Sequence, residues 1–182
     1  MNGIRIRDLA QLDAGRKIDT LQCRLWIYEA CEKLSVAYLT ACITAQKTIT
    51  AEPEKWVEVG IDNNRGVYKV TKNGREYDAA YYSVKLEGEK TVIKFADKGE
   101  FTVHAYVPAP ILPSLSVAPQ LNPAYHQALV KYVAAKKRFA TNRRDPVGMD
   151  LMAEFYRLAD DADDTIKRMK KKNARIPARP FR

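Results

Sequence analysis

Residues 21–53, "LQCRLWIYEACEKLSVAYLTACITAQKTITAEP", decide the fold. Leu21, Leu25, Tyr28, Cys31, Leu34, Tyr38, Ala41 and Ala45 recur at spacings of three and four, which strings them along one face of a helix. Just upstream, Asp19 with Gln22 three residues later has the pattern of an N-cap with a capping box. Pro53 forbids continuation, because proline lacks the N–H and clashes with the preceding turn. The pattern predicts one helix of about 28 residues, longer than most helices in small domains. A short helix over residues 4–14, closing near Gly15, precedes it.

From Lys55 the apolar period changes to two. "KWVEVGI" alternates and "DNNRG" turns it; "VYKVT" follows, and "KNGRE" carries Asn73-Gly74, a strong hairpin signal. "YDAAYYSVKL", "TVIKF" and "FTVHAYV" complete five strands, with Phe101, Val103, Ala105 and Val107 on one face of the last. Such a meander or sandwich of about 55 residues is small, and is expected to pack on the long helix. Then "PAPILPSLSVAPQLNP" places five prolines in sixteen residues, an extended crossing whose Ile111, Leu112, Leu115 and Val117 should lie along the body. Asn122 caps and Pro123 opens a helix through "AYHQALVKYVAAKKRFA". After the turn "TNRRDPVG", a last helix runs from about Met149 to about Lys171, with Met152, Phe155, Ala159, Ala162, Ile166 and Met169 as its stripe.

The expected fold is α+β: a helical bundle, built from the long N-terminal helix and a C-terminal helical hairpin, with a small inserted antiparallel β-module and an extended basic C-terminal arm. The expected divisions are 1–52 helical, 53–108 β-module, 109–122 Pro-rich crossing, 123–171 helical hairpin and 172–182 arm.

The 182 residues carry a net charge of +9, and the charge is unevenly placed. Lys167, Arg168, Lys170, Lys171, Lys172, Arg175, Arg179 and Arg182 supply +8 with no acid among them, leaving the rest nearly neutral. That distribution argues against a folded body acting as a general polyanion binder. No run of about 18 apolar residues spans a membrane. The first residues lack an apolar signal-peptide core, so synthesis in a cytoplasm is expected. Cys23, Cys31 and Cys42 all fall in the predicted helix, where eight residues already rise about 12 Å, beyond disulfide reach. Buried thiols in a reduced compartment are the main reading, and an intermolecular bridge stays open.

No residue pattern points to catalysis, a cofactor or a metal. His104 alternates out of phase with the apolar positions of its strand, and His126 opens a helix; neither has Cys, Asp or Glu at ligand spacing. "DDADD", Asp160–Asp164, lies on a helix where neighbouring carboxylates point about 100° apart. Asp163 with Lys167, and Asp164 with Arg168, have the spacing of helix-stabilising ion pairs, so a solvated face is expected. Phosphate-loop, dinucleotide and nucleophile-elbow motifs are absent. A second basic cluster, Lys136, Lys137, Arg138, Arg143 and Arg144, complements a helix C-terminus, with a DNA-facing surface as the alternative.

The join at 106–158, "YVPAPILPSLSVAPQLNPAYHQALVKYVAAKKRFATNRRDPVGMDLMAEFYRL", resembles the head-to-tail adaptor (connector) proteins of tailed bacteriophages. The likeness is sharpest in "LNPAYHQALVKY", Leu121–Tyr132, and extends in layout over about residues 18–170. The resemblance implies a structural virion protein of the neck and not an enzyme. It implies a ring, commonly of about twelve copies, beneath the portal ring. Such a ring extends the channel for passing double-stranded DNA without sequence specificity, and docks a downstream tail or stopper protein. It also implies that Lys170, Lys171, Lys172, Arg175, Ile176, Pro177, Arg179, Pro180, Phe181 and Arg182 dock on the portal, and that Lys136 to Arg144 could line the channel. Pro177 and Pro180 favour an extended segment, and Ile176 and Phe181 interrupt the charges as anchors for a partner pocket. The competing reading is a nucleic-acid-binding protein using the same arm on phosphates.

Overall fold

A computed structural model of the chain describes residues 1–174, with side chains through Lys171. Two compact units emerge: Met1–Ala41 together with the chain from Ala109 onward, and Cys42–Pro108.

In the first unit, α1 (Gly3–Ala14) starts where the Asn2 side chain accepts the Arg5 N–H and stops at Gly15, whose φ of 65° suits glycine. Ile6, Ala10 and Ala14 form its buried face. α2 (Thr20–Ala37) begins as expected, with the Asp19 carboxylate accepting the N–H groups of Leu21 and Gln22. It buries Cys23, Ile27, Ala30, Cys31, Leu34 and Ser35. Leu21 and Leu25 are 58% and 46% exposed, on the opposite side, since a two-residue offset rotates a helix by about 200°. The helix thus has two apolar faces, and the expected stripe mixed them.

α3 (His126–Phe139) follows a 3-10 turn over Pro123–Tyr125 that Asn122 caps. α4 (Pro146–Ala174) buries Leu151, Phe155, Ala159, Ala162 and Ile166, while Met169 is exposed. Arg138 pairs with Asp145, Lys131 with Glu154, and Tyr125 with Asp163. Partners that diverge in this way along the sequence mark α3 and α4 as an antiparallel hairpin. At its turn, a Cβ on Gly148 would stand 2.7 Å from the Phe139 ring, so glycine lets the two helices close. The Pro-rich crossing lies against this unit: Leu115 and Val117 accept the N–H groups of Ile4 and Gly3, and the Arg24 guanidinium donates to the Leu112 carbonyl.

The second unit holds two antiparallel sheets. Strands β1 (Ile43–Ala51), β3 (Gly66–Lys72), β4 (Arg75–Glu76) and β7 (Gly99–Val107) form one, in the order β1-β7-β3-β4. β2 (Trp56–Glu58), β5 (Tyr82–Glu87) and β6 (Lys90–Phe95) form the other, in the order β2-β6-β5. Phe95 and Phe101 stack at 3.9 Å between ring centroids, with Ile49, Val59, Val70, Ile93 and Val103 around them.

The expected fold class is corrected here. The described chain is mixed α and β, with four α-helices at its start, middle and end and two antiparallel sheets, not a helical bundle with a small β insert. The decisive error lay in the opening stretch. α2 ends at Ala37, Tyr38 turns extended and a 3-10 turn follows over Leu39–Ala41. Residues 43–51, assigned to the helix end, pair strand-fashion with β7 from Ile43↔Val107 to Ala51↔Gly99. Thr40, Ile43, Thr44, Thr48, Ile49 and Thr50 are β-branched and favour strand over helix. Only Ala41 and Ala45 sustained the helical period there, and alanine fits either state. Cys42 therefore leaves the helix.

Candidate docking surfaces

Two basic surfaces belong to the helical unit. The first is the turn between α3 and α4. Lys136 reaches Glu29 at 2.9 Å, and Tyr132 also donates to that carboxylate. Burial alone would raise the Glu29 pKa; the Tyr132 and Lys136 hydrogen bonds reverse the shift and hold it below the usual value. Arg138 grips Asp145 at 2.9 Å and donates to the Ala14 carbonyl at 3.3 Å. These two cations are struts between elements. Lys137, Arg143 and Arg144 pair with no carboxylate among the described residues. Arg16, from the α1–α2 loop, donates to Thr141 at 3.2 Å and widens the patch. Beside it, Trp26, Lys136, Phe139, Ala140 and Arg143 line an open hollow of about 310 Å³. Of the five residues for which a DNA-facing surface was the alternative, three pair with no carboxylate among the described residues and so remain available for an anion.

The second surface is the end of α4. Lys170 and Lys171 are exposed on the helix, and Lys172, expected to begin an extended arm, is helical in backbone. Arg175, Ile176, Pro177, Arg179, Pro180, Phe181 and Arg182 lie outside the described residues.

A polar node, not legible as such in the sequence, fixes where this basic end leaves the unit. Asp163 is 5% exposed, so "DDADD" is not a wholly solvated face. Its carboxylate accepts from Thr40 Oγ1 at 2.6 Å, from Tyr125 and from Lys167 at 2.5 Å. Burial raises its pKa, but Lys167, Thr40 and Tyr125 outweigh that and hold it below the ordinary carboxylate range. The Tyr38 hydroxyl donates to Asp160 at 2.6 Å, and burial with that carboxylate raises the phenol's pKa. Asp164 keeps the expected exposed pair with Arg168, at 3.8 Å. The buried acid was identifiable by phase: among the four, Asp163 alone falls between Ala159 and Ile166 on the apolar stripe.

The two histidines differ. His104 lies in β7. His126 is 4% exposed, and burial first, then the nearby Met1 ammonium, press its pKa down to about 4. Among the described residues no three His, Cys, Asp or Glu side chains are grouped as a metal site would need. No helix among them is long and apolar enough to cross a membrane.

No model of a known protein family matches the chain, and no curated protein matches it.

Proposed function

We propose that the chain is a structural assembly protein of a tailed phage neck, a head-to-tail adaptor that assembles as a ring under the portal and docks on it through its C-terminal segment. The observation that carries this reading is the run from the Pro-rich crossing into the helical hairpin. Its "LNPAYHQALVKY" stretch supports the adaptor resemblance, and its hairpin ends in a helix that presents Lys167 to Lys171 on a positioned, exposed tip. Supporting it further, Tyr125 and Tyr132 of that stretch are buried, and Tyr125 bonds the node that positions the tip. In this reading the protein is not an enzyme; its partners are the portal ring, a tail or stopper protein, other copies of itself and DNA passing through the channel.

The test uses purified portal rings of the same phage, with the full chain and a version ending at Ala174, viewed by negative-stain microscopy. The full chain should decorate one end of the ring and the shortened chain should not; Ile176→Ala with Phe181→Ala should weaken decoration without unfolding the protein. Failure of the full chain to bind overturns the reading.

A second reading, nucleic-acid binding, is favoured by Lys137, Arg143 and Arg144, which pair with no carboxylate among the described residues and lie near Arg16. It predicts duplex affinity falling with salt at a log–log slope of about −0.9 per phosphate neutralised, flattened by removing those three cations.

A further inference from the structure

Apolar side chains stand bare along β5, the edge strand of the order β2-β6-β5. Alternate residues of a strand share a face, so Tyr82, Val84 and Leu86 point the same way. Opposite them on β6 stand Phe95, Ile93 and Thr91, of which Phe95 and Ile93 are fully buried. Tyr82 packs on that core, yet Val84 is 41% and Leu86 74% exposed. Together with Asn64 and Gly66 these two line an open hollow of about 230 Å³.

The backbone of the same three residues is free to pair. Tyr81 accepts the Ala96 N–H, in line with Tyr82↔Phe95, so the odd-numbered residues of β5 are the ones that bond β6. By alternation, Tyr82, Val84 and Leu86 turn their N–H and C=O groups outward. Natural edges avoid pairing through prolines, bulges or inward-pointing charges. β5 has none of these: its pairing with β6 is unbroken from Tyr82 to Glu87. Lys85 lies on the outer face, 4.4 Å over the Trp56 ring and 3.5 Å from Glu87, so the charges of the strand cancel. β1 is also a long edge, but its exposed residues Thr44, Gln46, Lys47, Thr48 and Thr50 are polar.

We propose that β5 pairs antiparallel with β5 of a second copy of the chain, about a two-fold axis at Val84. Faces match across such an axis only when it falls on a residue, because opposed side chains share a side. Within Tyr82–Glu87, two registers then pair five residues, one centred on Val84 and one on Lys85. Centring on Lys85 sets two lysines directly against each other, which repels. Centring on Val84 opposes Val84 to Val84, Ser83 to Lys85 and Tyr82 to Leu86. Each bare Leu86 then lies beside the Tyr82 ring of the other copy, an aliphatic–aromatic cross-strand pair, and the two Val84 side chains meet at the axis. The outward N–H and C=O groups of all three residues find partners in the same register. Two sheets join as β2-β6-β5-β5-β6-β2. This contact is isologous, so it closes at two copies, and it uses no residue of the helical unit. The inference stands apart from the portal reading, and its test contains no portal.

Sedimentation equilibrium of the full chain tests the pairing, and a monomer–dimer equilibrium is expected. Val84→Pro removes an N–H that faces away from β6, so the sheet keeps its own bonds while the dimer is lost. Leu86→Lys should raise the dissociation constant at least about tenfold, and Leu12→Lys, at a residue 77% exposed in α1, should leave it unchanged. Circular dichroism checks that each variant folds. Val84→Cys, made with Cys42→Ser, reads the axis: Cα atoms about 5.5 Å apart are within disulfide reach, and the two copies should cross-link on oxidation. Ser83→Cys faces Lys85 of the other copy and should not. A chain that stays single at about 1 mM overturns the pairing, as does self-association indifferent to Val84→Pro and Leu86→Lys. Cross-linking that favours Ser83→Cys over Val84→Cys overturns the register.

Discussion

Replacing Asp163 by alanine removes the acceptor at the centre of the node on α4. Three donors lose it: Thr40 Oγ1 at 2.6 Å, the Tyr125 hydroxyl and the Lys167 ammonium. Their consequences differ. Lys167 is exposed and returns to water with little loss. Tyr125 is fully buried, and the proton it no longer gives Asp163 turns its 2.5 Å contact with Thr40 into a hydrogen bond. The loss therefore concentrates in two charge-assisted bonds, each contributing about 1.5–3 kcal/mol, offset in part by relieving a buried charge of its desolvation. A net destabilisation of about 3 kcal/mol is expected, and for a chain of this size about 6–12 °C in melting temperature. Urea denaturation followed by circular dichroism measures it. Asp163→Asn, which keeps one acceptor oxygen, should lose less; Lys167→Ala should lose least. If Asp163→Ala were no worse than Lys167→Ala, the node would be a surface ion pair and the reasoning about its buried bonds would be wrong.

Leu34, 1% exposed in α2, should lose about 2–5 kcal/mol on truncation to alanine, whereas Leu25→Ala on the outward face should change urea stability little. His126, with its pKa lowered from 6.5 to about 4, binds fewer protons folded than unfolded. Its contribution is present above pH 6.5 and is lost as pH falls toward 4, a slope that His126→Gln should flatten in urea titrations across that window. Burial pushes the thiols of Cys23 and Cys31 up to about 12, so Ellman's reagent at neutral pH should reach half-buried Cys42 first and all three only in denaturant. Rapid labelling of Cys23 or Cys31 in the native protein would contradict the packing of α2.

Much of the helical unit could be read from local chemistry. Asp19 and Asn122 cap where their side chains predict, and Gly15 closes α1, because these effects need no distant partner. β1 could not be read in this way: its identity depends on β7, some fifty residues later, offering nine residues of pairing. For α2, apolar residues on both faces satisfy a helical period, but the sequence does not say which face finds the other helices. The node was hidden because a run of four acids looks uniformly solvated until one is phased against Ala159 and Ile166.

α4 continues past Ile166, the last buried one among the side chains described, to Ala174, and those eight residues rise about 12 Å. This stretch is a cantilever: none of its described side chains, Lys167 to Lys171, is buried, so its aim is inherited from the clamp at Asp163. Half of that clamp is Thr40, 123 positions earlier in the chain. A change at Thr40 would therefore re-aim a charged spoke on which no residue had been altered, and whatever the basic tip engages would register it as a change of angle before any change of affinity.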